Sequence, residues 1–106
     1  MSEVLLVLCT FPDVEKARQI GTVLVEKQLV ACVNLLPGVT SIYRWEGKIE
    51  EAGETLAIFK TTRAAWVVLE EELAALHPYD VPEIVAIEPA ALSAAYAAWV
   101  ERAVGA

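Results

Sequence analysis

The chain has 106 residues, 57% of them hydrophobic, which suffices for one continuous core but not two, so a single domain over residues 1–106 is expected. Fifteen acidic against eight basic residues give a formal net charge of −7; that field repels nucleic-acid phosphates and anionic lipid, keeps an apolar-rich chain soluble, and favours cationic partners, metal ions included. No apolar run reaches the roughly 18 residues needed to cross a bilayer, and Glu3 stands where a signal peptide carries a base, so a cytoplasmic protein with neither membrane nor nucleic acid as partner is expected.

The run Val4 to Thr10 is continuously apolar and short, the pattern of a buried central strand. Phe11-Pro12-Asp13 breaks it. Asp13 can accept a backbone N–H as an N-cap, and Ala17, Ile20, Gly21 and Leu24 recur at helical spacing through about Gln28. Leu29 to Leu36 is again strand-like, Pro37-Gly38 interrupts it, and Val39 to Trp45 resumes up to Glu46-Gly47, a tight-turn pair. The returning arm runs to Thr61, with a bulge expected near Gly53. This hairpin is too long for a small monomer to use alone.

Thr62 can cap a second helix whose Trp66, Leu69, Leu73 and Leu76 form an apolar stripe opposite Glu70-Glu71-Glu72. It must stop at His77, because Pro78 forces the residue before it into extended geometry. Glu83 to Glu88 predicts a short fourth strand, and Leu92 to Ala103 a last helix carrying Leu92, Tyr96, Trp99 and Val100 on one face. The order β-α-β-β-α-β plus a terminal helix predicts an α+β fold of ferredoxin-like type, a four-stranded antiparallel sheet covered by helices.

Neither GxGxxG nor GxxxxGK[ST] occurs, so phosphate-cradling loops of those kinds are excluded. Cys9 and Cys32 lie in strand-like runs without CxxC spacing and are expected as free thiols in a reducing compartment. With one histidine in the chain, Cys9 and His77 are the one conceivable nucleophile pair, and the chain is not expected to be an enzyme. For a metal ion the candidate ligands are Cys9, His77 and Glu83: thiolate and imidazole suit copper or zinc, and a carboxylate can complete the shell. A histidine before proline is equally an ordinary helix stop. Lys48 and Lys60 could neutralise an anion or simply blunt a strand edge. Ser41, Tyr43 and Trp45 share one strand face, an aromatic surface that a partner chain should cover.

Cys9-Thr10, Ala31-Cys32-Val33-Asn34, Pro37, Ser41 to Ile49, Lys60-Thr61, His77-Pro78-Tyr79, Pro82-Glu83 and Tyr96 with Trp99 together resemble the CutA family, in order and over essentially the whole chain. The combination SxYxWxGxI with HPYxxPE carries the specificity. The resemblance implies a homotrimer of ferredoxin-like subunits, similar in fold to the PII signalling proteins, with hairpins pairing across subunits. It also implies divalent-ion tolerance with Cu(II) as the leading ion, and places candidate ligands at Cys9, His77 and Glu83. Leu76 stands where some members carry a second histidine, which removes one imidazole from that set. The alternative it allows is a PII-like regulatory module, in which subunit clefts take a small anionic ligand or the hairpin loops contact a target protein; Arg44, Lys48, Lys60 and Tyr79 would then matter more.

Overall fold

In a computed structural model, which describes residues 3–105, the first apolar run forms β1 (Val4–Phe11) at the interior of the sheet. Its alternation is sharp. Val7, Cys9 and Phe11 are wholly buried on one face, while Leu6, Leu8 and Thr10 are only partly covered on the other. The Asp13 carboxylate accepts the Lys16 N–H at 2.8 Å and so caps α1 (Val14–Glu26), whose Ala17, Ile20, Gly21 and Leu24 turn inward. Gly21 permits close approach to the sheet, since a Cβ there would lie 3.1 Å from Val33 Cγ1. The helix ends two residues before Gln28, which takes a left-handed φ of 59°. The N–H groups of Gln28 and Leu29 return to the carbonyls of Val25 and Leu24, satisfying the end of the helix in a Schellman motif.

Strands β2 (Cys32–Trp45) and β3 (Lys48–Thr62) pair antiparallel from Cys32 opposite Lys60 to Trp45 opposite Lys48. Glu46 and Gly47 both have positive φ, 49° and 79°, the two-residue turn whose twist matches that of the flanking strands. The bulge lies between Leu36 and Val39, not near Gly53, which pairs regularly with Thr40. Pro37 explains the correction: it has no N–H to give the ladder, whereas Gly53 keeps both backbone groups.

A single 3₁₀ turn (Arg63–Ala65) precedes α2 (Trp66–Leu76). Thr62 is extended and its hydroxyl makes no capping bond, contrary to the sequence expectation, because the 3₁₀ turn intervenes before the α-helix begins. Leu69 and Leu73 are buried against the core, and the chain turns extended at His77 (φ −70°, ψ 141°) as Pro78 demands. The fourth strand is shorter than its apolar run: β4 (Val85–Ile87) pairs only with Leu6 to Leu8 of β1, and Pro82 and Pro89 flank it. Ser93 Oγ accepts the Tyr96 N–H at 3.1 Å and starts α3 (Ala94–Ala103), two residues after Leu92.

The sheet order is β2-β3-β1-β4, every neighbour antiparallel, the ferredoxin-like arrangement that the element order predicts. Helices α1 and α2 share a core with Val7, Cys9, Phe11 and Phe59 on one face. The terminal helix lies on the other: Ala97, Val100 and Val104 pack on Val4, which has the opposite parity along β1. Beyond α3 this second face stays open, with Leu36, Val85 and Ile87 exposed, and the far end of the hairpin exposes Ile42, Trp45 and Ile49.

A carboxylate-lined cleft beside a buried histidine

The end of β1, the turn after α2 and the hairpin arms meet in one region. Cys9 has no exposed surface, and its Sγ lies 3.8 Å from the Thr10 carbonyl. Burial, with the negative charges of Glu83 and Glu54 adding to it, pushes the thiol up to about 12, so it remains protonated near neutrality. His77 is 7% exposed and both ring nitrogens are engaged. Nδ1 accepts the Tyr79 backbone N–H at 3.1 Å, which leaves Nε2 to carry the proton and donate to the Thr10 carbonyl at 2.8 Å. Phe11 stacks on the ring with centroids 4.7 Å apart. Burial lowers the His77 pKa from its usual 6.5, only partly opposed by the Thr10 hydrogen bond and the charge of Glu54, so the imidazole is neutral at pH 7.

Tyr79 follows directly and donates its hydroxyl to Glu54 Oε2 at 2.8 Å. Burial and that carboxylate hold the phenol well above its ordinary value. Outside this pair opens a cleft of about 810 Å³, floored by Thr10 and walled by Tyr43 and Trp45 of the hairpin. Glu50, Glu54, Asp80 and Glu83 contribute carboxylates to it.

Of the three residues singled out for metal binding, His77 sits against the β1 end that carries Cys9, and Glu83 is close enough for its charge to act on that thiol. They do not form a ligand shell: among the described residues no three His, Cys, Asp or Glu side chains group so as to hold a metal ion. In this arrangement Cys9 and His77 do not fit a bound ion, because the thiol keeps its proton and the imidazole has no free lone pair. Glu54 and Tyr79 act together in the cleft wall, and only Tyr79 was legible as a candidate. The signal for Glu54 was strand alternation, since Glu50, Ala52 and Glu54 share the strand face of Tyr43 and Ser41, with Glu50 paired to Tyr43 and Ala52 to Ser41. Lys60 bonds Asn34 Oδ1, and none of Arg44, Lys48 and Lys60 lines the cleft.

Residues 5–103 match the family model described as CutA1 divalent ion tolerance protein. The chain belongs to that family. It is 50% identical to the divalent-cation tolerance protein CutA of Thermus thermophilus over 93% of this chain and 96% of that one. The protein of the same name from Thermococcus kodakarensis is 44% identical over 94% of this chain and 95% of its own. A solved structure of the divalent cation tolerance protein from Thermus thermophilus superposes with a TM-score of 0.93 at 48% identity, covering 96% of this chain and 99% of that chain. In this CutA1 family member the cleft is therefore built on a shared backbone, and its chemistry rests on the side chains described above.

Proposed function

We propose that this CutA1 family protein is a cytoplasmic homotrimer that takes up divalent metal ions, Cu(II) foremost, beside the carboxylate-lined cleft of each subunit. The observation that carries the reading is the charge of the cleft: four carboxylates line it without a Lys or Arg among them. Such a wall attracts cations and disfavours the small anion of the alternative, PII-like reading. Glu50, Asp80 and Glu83 are exposed, and a cation meets these carboxylates before the half-buried Glu54. Cys9 and His77 would become inner ligands only in a rearranged state, in which Nδ1 is freed from the Tyr79 N–H and the thiol has given up its proton. Affinity should therefore rise with pH. Assembly is supported by the apolar surface exposed on the hairpin and on the open sheet face, which a monomer of this size would present to water.

The test is calorimetric titration of Cu(II), Zn(II) and Ni(II) into the purified protein at fixed pH, beside a Cys9→Ser/His77→Ala double variant. One saturable site per chain, lost in the variant, with Cu(II) the tightest, is expected. Equal binding by both proteins removes Cys9 and His77 from the site, and a light-scattering mass other than three times 11.5 kDa removes the trimer.

A further inference from the structure

The contacts that close the imidazole of His77 are held with unequal firmness. Thr10, whose carbonyl takes the Nε2 proton, and Phe11, stacked on the ring, belong to β1, which β3 and β4 flank on either side. The others come from Tyr79: its backbone N–H on Nδ1 at 3.1 Å, and its ring, with centroids 4.8 Å apart. Tyr79 sits in the strap between α2 and β4, and residues 78–84 make no backbone-to-backbone hydrogen bond among the described residues. Val81, midway along the strap, is 89% exposed, and Ile84 at its far end packs on the core. Tyr79 is the residue that ties the strap down, by its N–H on His77 and by its hydroxyl on Glu54 Oε2 at 2.8 Å. A phenol on a carboxylate is a charge-assisted bond, stronger than the neutral N–H on Nδ1.

A histidine that ligates a metal holds its second ring nitrogen on a carboxylate, a water or a backbone carbonyl, which fixes its tautomer and orientation. His77 already has that partner in Thr10, and what occupies the ligand position is the Tyr79 N–H. Lifting Tyr79 away frees Nδ1 as a neutral lone pair and leaves the Nε2 bond in place. We infer that Tyr79 is a lid on His77, latched shut by Glu54 of the hairpin, and that release of the latch sets how often Nδ1 is offered to an incoming ion. The identity of that ion rests on the metal-uptake reading; the lid does not.

His77 is the one histidine of the chain, so acylation of its imidazole by diethyl pyrocarbonate, a reaction of the free ring lone pair, reads the opening without metal. The full chain in its native assembly is treated near neutrality, and the modified peptide is followed by mass spectrometry. Tyr79→Phe keeps the ring and the N–H but loses the latch. It should be modified at least about tenfold faster, the equivalent of about 1.4 kcal/mol and the low end of a hydrogen bond to a charged acceptor. Glu54→Leu should match it, and the double variant should be no faster than either, since both remove one bond. Glu54→Gln keeps an acceptor and should return to within about threefold of the parent rate. Tyr96→Phe, which removes the phenol bonded to Cys32, should behave as the parent does. Exchange of the Phe59 amide, in the core of the sheet, reports global opening and should not change in any variant. Light scattering monitors assembly; should the Glu54 variants fail to assemble, Tyr79→Phe, which leaves the hairpin sequence untouched, decides alone. An unchanged rate in Tyr79→Phe, an equal rise in Tyr96→Phe, or a rise matched by Phe59 amide exchange overturns the lid. In stopped-flow mixing, Cu(II) should associate faster with Tyr79→Phe by the same factor as acylation. Faster acylation without faster association leaves the lid standing and removes His77 from the metal reading, whereas unchanged acylation with Cu(II) binding intact overturns the lid alone.

Discussion

Replacing His77 by alanine isolates the side chain that ties the turn after α2 to the end of β1. The imidazole donates to the Thr10 carbonyl at 2.8 Å, accepts the Tyr79 N–H at 3.1 Å, and lies on Phe11 with 7% exposure. Two hydrogen bonds at about 1 kcal/mol each, plus the packing lost when a mostly buried ring is truncated, give an expected loss of about 3–4 kcal/mol. The effect must also depend on pH. Because the folded pKa lies below 6.5, the unfolded chain binds the proton first as pH falls. The stabilising contribution is complete above about pH 6.5 and declines through the interval down to the folded pKa, with a slope of at most about 1.4 kcal/mol per pH unit. Guanidinium denaturation of parent and variant at one chain concentration, from pH 8 to pH 5, measures both quantities; the fixed concentration removes the mass-action contribution of assembly. A difference below about 1 kcal/mol at pH 8, or one that stays constant to pH 5, refutes this account of the turn.

Cys9 should resist iodoacetamide at pH 8 while half-buried Cys32 reacts, because a thiol pushed up to about 12 and wholly buried offers almost no thiolate; peptide mass spectrometry reads the ratio, and comparable labelling of the two refutes the burial argument. Gln28→Gly should raise stability by about 0.5–1 kcal/mol, the left-handed strain of a side chain at φ 59° exceeding the added flexibility of glycine in the unfolded chain; thermal unfolding checks the sign.

The fold was legible where local chemistry decides it. Asp13 caps the helix that its position predicts, Glu46-Gly47 makes the turn, and Pro78 ends α2 at His77. The misplacements share a cause. Whether Pro37-Gly38 or Gly53 carries the bulge, and how much of the Glu83–Glu88 run becomes strand, depends on which partner residues lie opposite, a matter of register between distant segments. The site shows the same division. Cys9, His77 and Glu83 lie in one region of the fold, yet the sequence could not reveal that Thr10 and Tyr79 occupy both ring nitrogens, since those contacts join residues 67 apart and two apart through a turn whose path only the fold sets. Nor could it show that Glu50 and Glu54 face the same space as Asp80, which needs the hairpin laid against the turn.

The inequality between the two edges of the sheet has a kinetic consequence. β2 and β3 are neighbours in sequence joined by a two-residue turn, so their ladder can zip from a local nucleus with little loop entropy to overcome. β4 reaches β1 across most of the chain and is held there by three residues. The segment from Tyr79 to Glu83, one wall of the cleft, is anchored between that short strand and the His77 contacts. Hydrogen exchange should therefore find the amides of β4 opening well before those of β3, through partial unfolding that leaves the hairpin intact. An opening that spread from β4 back through the Tyr79–Glu83 turn to His77 would bare the imidazole lone pair and the Thr10 carbonyl together.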